Sequence, residues 1–307
     1  MNPWLPTAPC TPRTCAGHTG RRRRRPAAAA LLLAGCACVL AGALGAPLLP
    51  LFGAARRERL IRRWSYGVVR AFGVRVRITG APVPSARKPG TPGTPGTPVS
   101  SGTTGTLVVA NHISWLDIPL VAAVLPGRML AKREIRDWPL LGPLAARGGT
   151  LFVDRDRLRA LPATVRALAA ALRRGGRVVV YPEGTTWCGR GPGGRFAPAA
   201  FQAAIDANAT VLPVHLSYHT APPRPPGRQK PAPANDHVPA GAAAFVGDDP
   251  LLTSLWRVVT AAGLTAEIRV LAPIPAGGFP GRRALARRAQ RAVASESANR
   301  SPESVHH

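Results

Sequence analysis

The sequence predicts an α/β domain with a mixed, mostly parallel sheet flanked by helices. Short apolar runs typical of buried strands alternate with segments of helical periodicity over most of the C-terminal two thirds of the chain. The chain has 307 residues, 46% of them hydrophobic, so it is long enough to bury such a core. Polar clusters directly follow several of the apolar runs, and in open α/β sheets these strand ends are where sites are built.

The strands are predicted from β-branched runs and the helices from apolar residues at helical spacing. An edge strand is expected where Val74, Val76 and Ile78 alternate with arginines. The other predicted strands are 106–110, 128–131, 150–153, 177–181, 210–216 and 265–271. The predicted helices are 118–125, 158–174, 198–207, 251–262 and 282–293.

An apolar segment near the N-terminus predicts a membrane anchor. A leader at 1–26, expected to be disordered and basic, precedes the uncharged run 27–46, which has about the length that a helix needs to cross a bilayer. Arginines flank this run on both sides, so a single span and a re-entrant anchor both remain open. A cleaved signal is the alternative, because Leu33-Ala34-Gly35-Cys36 resembles a lipoprotein cleavage box.

The anchor region continues to residue 72 as a basic amphipathic helix. Between Arg56 and Phe72, apolar residues recur at helical spacing and arginines fill the other faces, as in a helix lying on an anionic membrane. A packed surface helix is the plainer alternative. The α/β domain then covers 73–295, with flexible Pro-rich insertions expected at 81–105 and 221–241 and a disordered tail at 296–307.

The net charge of +27 favours anionic partners, namely nucleic acid, acidic lipid headgroups or phosphorylated substrates. A GC-rich coding bias is the alternative explanation for much of this charge, since arginine far outnumbers lysine. The five cysteines are an odd number without zinc-ligand spacing, so neither a disulfide framework nor a metal site is expected.

A histidine and an aspartate suited to base catalysis follow the strand 106–110. His112 and Asp117 are five residues apart, so a loop can bring the carboxylate against one ring nitrogen and leave the other to accept a proton. A helix-capping aspartate beside an unrelated loop histidine is the alternative for this pair taken alone.

Further motifs follow other strands in a fixed order. Phe152-Val153-Asp154-Arg155, Tyr181-Pro182-Glu183-Gly184-Thr185 and Val211-Leu212-Pro213-Val214 come after the histidine motif, and Lys132 follows the strand 128–131. With the His-x4-Asp motif, this order resembles the glycerolipid acyltransferase family, whose best-known members are 1-acylglycerol-3-phosphate acyltransferases. The resemblance covers about residues 74–275.

The resemblance implies a direct acyl transfer without an acyl-enzyme. His112 would deprotonate the acceptor hydroxyl and Asp117 would orient it, while Cys188 would be a packing or surface thiol. The substrate-binding residues implied are Lys132, Phe152 and Arg155, with the two cations on the acceptor phosphate, and Glu183, Gly184 and Thr185 at the turn. For the two cations the alternative is a solvated surface charge, and for the residues at Pro182-Glu183-Gly184 it is an ordinary turn. No cofactor is implied besides acyl-CoA or acyl carrier protein as co-substrate.

The sequence departs from the family pattern at one informative place. Many members that form phosphatidic acid carry a basic residue after Glu-Gly-Thr, where this chain has Thr186-Trp187. The acceptor expected is a lyso-glycerolipid, foremost 1-acyl-sn-glycerol-3-phosphate, with another lyso-lipid such as lyso-ornithine lipid as the alternative. Because the donors are cytoplasmic, the expected location is the cytoplasmic face of the cell membrane. A basic membrane- or nucleic-acid-binding protein is the competing class, but aromatic residues are only 5% and no nucleic-acid motif is present.

Overall fold

The computed structural model describes residues 6–18, 20–82, 105–154, 157–220 and 238–298. Its sheet follows the order β1-β8-β6-β2-β5-β3-β4, and two short strands, β7 and β9, pair with β6. The strands are β1 Arg75–Gly80, β2 Thr106–Ala110, β3 Arg128–Lys132, β4 Leu151–Val153, β5 Arg177–Val180, β6 Thr210–Thr220, β7 Val238–Pro239, β8 Thr265–Val270 and β9 Ile274–Pro275.

The five neighbouring strands β6, β2, β5, β3 and β4 run parallel to one another. Strand β8 is antiparallel to β6, and the edge strand β1 is parallel to β8. The predicted mixed, mostly parallel sheet is therefore confirmed. Because β2, β5, β3 and β4 run in the same direction, their carboxyl ends meet at one edge of the sheet. This edge brings together motifs that are far apart in the sequence.

Helices cover both faces of the sheet. They are α1 Pro12–Cys15, α2 Arg25–Gly45, α3 Ala54–Ala71, α4 Asp117–Val124, α5 Leu141–Arg147, α6 Leu161–Arg173, α7 Ala199–Asp206, α8 Leu251–Thr260 and α9 Arg282–Ala298. One core layer lies under α3, α4 and α8, and the other under α6, α7 and α9. The sequence missed α5, which is a short helix without a long apolar period.

Helix α2 packs on the domain through small residues and leaves a leucine face uncovered. Ala28, Gly35 and Gly42 recur every seven residues and so share one face. A Cβ atom at Gly35 would clash with the ring of Phe72, and one at Gly42 with the ring of Trp64, so both rings lie directly against the helix backbone. This close approach explains why glycine stands inside an otherwise uniform apolar helix.

Exposed leucines occupy the opposite face of α2. Leu33, Leu40 and Leu44 are 70%, 43% and 70% exposed, and at 100° per residue Leu33 lies about 200° from Gly35. The apolar helical stretch Arg25–Leu51 is long enough to cross a membrane, and only 11% of its most apolar window is buried. It is therefore a candidate membrane anchor and not a core helix. The cleavage-box residues 33–36 lie within this continuous helix.

The described part of the leader is not disordered, contrary to the expectation for 1–26. Cys10 and Ala16 are buried against the domain. The guanidinium of Arg23 donates to the carbonyl oxygens of Val259 and Ala261 at 2.8 and 2.7 Å and to that of Gly73 at 2.7 Å. The segment is held by two small buried apolar side chains and one half-buried cation, and these give no periodic signal that a sequence could show.

The other segment boundaries differ in detail. Residues 83–104 and 221–237 of the expected insertions lie outside the described residues, while 238–241 at the end of the second one form β7 and the start of a buried turn. Helix α9 continues to Ala298, so the expected tail 296–307 begins as helix, and its remainder lies outside the described residues.

Candidate active site

His112 and Asp117 form a hydrogen-bonded pair at the carboxyl end of β2. His112 Nδ1 lies 2.8 Å from Asp117 Oδ2, and Asp117 is the first residue of α4. The histidine side chain is 20% exposed and the aspartate side chain is fully buried. The loop between β2 and α4 therefore presents one ring to the surface and keeps its carboxylate partner inside, as the spacing predicted.

Asp117 is held by donors on both oxygens. Oδ2 also accepts from the backbone N–H groups of Ile113 at 2.6 Å and Ser114 at 2.9 Å, and Oδ1 accepts from the hydroxyl of Tyr218 at 2.6 Å. A carboxylate only accepts, so its contact with His112 requires the imidazole proton on Nδ1. Nε2 then carries the lone pair, and no described residue hydrogen-bonds it. This nitrogen can take a proton from a hydroxyl.

Glu183, 4% exposed, fixes the histidine loop from behind. Its Oε2 accepts from the backbone N–H of His112 at 2.7 Å and its Oε1 from that of Gly194 at 2.9 Å. Both carboxylate oxygens of Glu183 therefore accept hydrogen bonds from the backbone, and the side chain joins the histidine loop to Gly194. This placement fits a positioning residue better than the direct acceptor contact that the resemblance implies. Burial raises the pKa of Glu183 to about 7, against a lowering by the two backbone donors.

This raised pKa predicts a pH-dependent stability. Between about pH 4.5 and 7 the folded state holds a proton on Glu183 that the unfolded state releases, so its contribution to stability falls as pH rises, by about 3 kcal/mol in all. Glu183→Gln does not titrate. We expect the unfolding temperature of the native protein, measured relative to that of Glu183→Gln, to decrease as the pH rises from about 4.5 to about 7.

The exposed Glu134 provides the control, because Glu134→Gln should preserve the native pH profile. Parallel unfolding curves for the native protein and Glu183→Gln across that pH range would contradict the assignment.

The turn after β5 places the remaining motif residues beside the pair. Gly184 has φ +75°, a conformation that favours glycine, and Thr185 is half-buried. The backbone N–H of Trp187 donates to the carbonyl oxygen of His112 at 2.7 Å. A small pocket of about 20 Å³ lies between His112, Glu183 and Trp187. It has room for about one water molecule. Substrates must therefore approach from the open side of His112.

The expected phosphate-binding residues lie on neighbouring strands. Lys132 ends β3 and is exposed, and it forms no ion pair with any residue that the structure describes. Phe152 in β4 is half-buried, with the guanidinium of Arg136 lying 5.9 Å from its ring centre. Arg155 lies outside the described residues. Since β5 separates β3 from β2, the backbone of Lys132 lies about 10 Å from β2.

Sequence reasoning assigned no role to three residues of the site. Tyr218 holds Asp117, and Tyr181 stacks on His112 with ring centres 4.2 Å apart. Burial and the charge of Asp117 raise the pKa of both tyrosines well above their usual value, so Tyr218 stays a donor. Asn111 joins β2 to β6 by accepting from Leu216 N–H at 2.7 Å and donating to Leu216 O at 2.9 Å. Tyr218 lies inside β6, whereas Tyr181 and Asn111 directly follow β5 and β2, so the available signal was a polar residue in or just after a buried strand.

Comparison with known proteins agrees with this geometry. The family model described as Acyltransferase matches residues 88–217. A lyso-ornithine lipid O-acyltransferase of Pseudomonas aeruginosa is 36% identical over 81% of this chain and 80% of its own. A 1-acyl-sn-glycerol-3-phosphate acyltransferase of Neisseria gonorrhoeae is 40% identical over 53% of this chain and 58% of its own. The chain belongs to the acyltransferase family and is an enzyme of this type.

A solved structure shows the same fold. The 1-acyl-sn-glycerophosphate acyltransferase PlsC of Thermotoga maritima superposes with a TM-score of 0.57 at 19% identity, covering 88% of this chain and 94% of the other. The likeness extends over nearly the whole architecture, so the two proteins share one fold. The family resemblance inferred from the motifs is confirmed by the Pseudomonas relative.

Proposed function

We propose that this enzyme transfers a fatty acyl group from acyl-CoA or acyl carrier protein to the free hydroxyl of a lyso-glycerolipid at the cytoplasmic face of the membrane. The observation that carries the proposal is the pairing of His112 Nδ1 with Asp117 at 2.8 Å, with Nε2 left to act as base beside an open surface. His112 is the catalytic residue, and Asp117 positions it.

The reaction needs no covalent enzyme intermediate. Nε2 of His112 takes the hydroxyl proton as the acceptor oxygen attacks the thioester carbon. The new C–O ester bond forms, the C–S bond breaks, and the proton passes from the imidazole to the leaving thiolate. Asp117 stabilises the imidazolium that forms in between, because its charge lies against Nδ1. Neither a metal nor a further cofactor enters these steps.

The first acceptor proposed is 1-acyl-sn-glycerol-3-phosphate, with phosphatidic acid as product. Lys132 supplies an exposed cation on the same sheet edge as His112, with no acidic partner among the described residues. A phosphate that Lys132 and Arg155 hold would lie within the width of two or three strands of the base. The Neisseria relative carries the name of this activity.

A lyso-ornithine lipid is the second candidate, and two observations favour it. The similarity to the Pseudomonas lyso-ornithine lipid O-acyltransferase extends over 81% of this chain. In addition, Thr186 stands where many phosphatidic-acid-forming members have a base, and the adjoining Trp187 is half-buried against apolar groups. The site therefore has one cation fewer for a phosphate.

The membrane placement follows from how α2 contacts the catalytic loop. The Phe72 ring, which lies against Gly35 of α2, also packs edge-on against Trp115 at 5.1 Å between centres. Trp115 belongs to the segment between His112 and Asp117. An α2 embedded in the headgroup region would hold His112 close to lipid hydroxyls, while the exposed arginines of α3 contact anionic headgroups. The basic charge is thus assigned to lipid and not to nucleic acid.

Acyl transfer by the purified full chain tests the proposal. Labelled acyl-CoA and acyl carrier protein are each supplied with 1-acyl-sn-glycerol-3-phosphate and with lyso-ornithine lipid. Because a phosphate clamp supplies ground-state binding, Lys132→Ala should raise the KM for the phosphate acceptor by about 10-fold and leave the donor KM unchanged. Its neighbour Arg133, which pairs with Asp154 at 3.2 Å, provides the matched control Arg133→Ala.

Each result decides between named alternatives. Turnover of lyso-ornithine lipid alone, insensitive to Lys132→Ala, would select the second acceptor. A change in donor KM alone would assign Lys132 to the donor. Failure to acylate any lyso-lipid, combined with tight binding to duplex DNA, would overturn the proposal in favour of a nucleic-acid-binding protein.

A further inference from the structure

Three cysteines from distant parts of the chain converge beside the active-site loop. The sulfur atoms of Cys10, Cys15 and Cys188 all lie within 4.8 Å of one another. Cys10 lies two residues before the short helix α1 in the leader, Cys15 is the last residue of that helix, and Cys188 follows Trp187 in the loop that contacts His112. No metal-ligand spacing is visible in the sequence, because Cys188 is far from the other two cysteines in the chain.

The surroundings suit thiolate ligands. The cluster lies in a small apolar region with Ala244, Val246 and Trp187, so competing water is partly excluded. The hydroxyl of Thr14 lies 3.5 Å from the sulfur of Cys15 and can donate to it. The guanidinium of Arg190 bonds the carbonyl oxygen of Thr14 at 3.4 Å. A cationic group next to the cluster offsets the negative charge that three thiolates bring.

We propose that Cys10, Cys15 and Cys188 bind one Zn²⁺ ion as thiolates, with a water molecule in the fourth position. Tetrahedral zinc with bonds of about 2.3 Å requires sulfur atoms about 3.8 Å apart, so each sulfur moves inward by about 0.6 Å at most. Side-chain rotation provides this. Binding displaces the three thiol protons to solvent and leaves a site of net charge −1 beside Arg190.

A pocket of about 260 Å³, open to solvent, lies beside the carbonyl oxygen of Cys15 and is lined by Gly17, His18 and Arg190. Zinc with three protein ligands binds a water molecule in the fourth position, which completes its tetrahedral coordination.

The site would clamp the leader onto the active-site loop. Pro6, four residues before Cys10, lies directly against the backbone of Gly184 in the turn after β5. At the other end, Cys188 adjoins Trp187, whose N–H holds the carbonyl of His112. Zinc would therefore strengthen the link between two segments that are otherwise joined by the Arg190–Thr14 hydrogen bond and by small apolar contacts, and its loss would loosen residues 10–15 on the loop.

Metal analysis of the intact protein tests the site. The full chain is produced without a histidine tag, purified in detergent from zinc-supplied cells, and its zinc measured by mass spectrometry. We expect one zinc per chain in the native protein and in the controls Cys36→Ser and Cys38→Ser, whose cysteines lie in α2. Cys10→Ser, Cys15→Ser and Cys188→Ser should each lower the zinc content at least about 10-fold.

A second measurement avoids variants that fail to fold. Alkylation of the native protein should spare Cys10, Cys15 and Cys188 and modify Cys36, and a chelator should remove the protection. Cobalt added after the chelator should give the thiolate charge-transfer absorption of a four-coordinate site. Zinc retained equally in all five variants, alkylation unaffected by chelator, or a disulfide between two of the three cysteines in protein kept under reducing conditions would overturn the proposal.

Discussion

Replacing His112 by alanine is expected to lower the rate of acyl transfer by at least about 10²-fold. The imidazole is the only described base at the carboxyl end of β2 whose second nitrogen is fixed by a buried carboxylate. The loss should appear in kcat, because a proton transfer in the transition state is removed and the acceptor keeps its other contacts. The measurement is initial rate against acceptor concentration at saturating donor.

Folding should survive this change, since the histidine backbone keeps its bonds to Glu183 and Trp187. His18→Ala is the matched control, because that ring bonds only a leader carbonyl and should leave the rate unchanged. Tyr218→Phe removes a single donor to Asp117 and should cost less than His112→Ala. An acylation rate near normal in a folded His112→Ala protein would refute the mechanism.

The sequence showed the part of the site whose geometry is local. The four residues between His112 and Asp117 fit one loop and one helix start, so the spacing suggested the pair. Tyr218 could not, because it reaches Asp117 from β6, and only the strand order brings β6 beside β2. The centre of the sheet was predictable because the β-branched runs of β2, β5 and β6 are buried on both faces, as is typical of parallel strands.

Glu183 shows a different limit of sequence reasoning. Its motif suggested a contact with the acceptor, yet both oxygens accept backbone N–H groups, from His112 and Gly194. A motif marks which residues belong to a site but not the direction in which a side chain points. The leader was misjudged for a related reason, since Arg23 alone satisfies three carbonyl oxygens that no composition count reveals.

The second large effect is expected from substitutions in the candidate membrane anchor α2, and it concerns membrane binding. Leu33, Leu40 and Leu44 form the uncovered face of α2, while the opposite face is fixed to Phe72 and Trp64. Removing the whole segment 1–50 would also expose those rings and take Ala28 out of the core, so it would confound loss of anchoring with loss of stability. Substitutions on the leucine face separate the two, because these side chains make little contact with the domain.

We expect the triple variant Leu33→Gln, Leu40→Gln, Leu44→Gln to leave membranes in high salt, where the native protein stays. At about 1.5 kcal/mol or more for each leucine buried in lipid, the three together contribute about 5 kcal/mol, or more than about 10³-fold in partitioning. The exposed arginines of α3 attract anionic lipid only while the screening length is long, and it shortens from about 10 Å at 0.1 M to about 3 Å at 1 M salt. The triple variant should therefore still bind anionic vesicles at low salt.

Sedimentation with anionic vesicles at the two salt concentrations measures the contribution of the leucines and that of the arginines separately. The control is Leu140→Gln with Leu252→Gln, two leucines that are 54% and 76% exposed outside α2, and this variant should behave as the native protein. Release of the native protein by salt alone would refute insertion of α2, because apolar burial resists screening. Retention of the triple variant at high salt would show that another apolar surface holds the enzyme at the membrane.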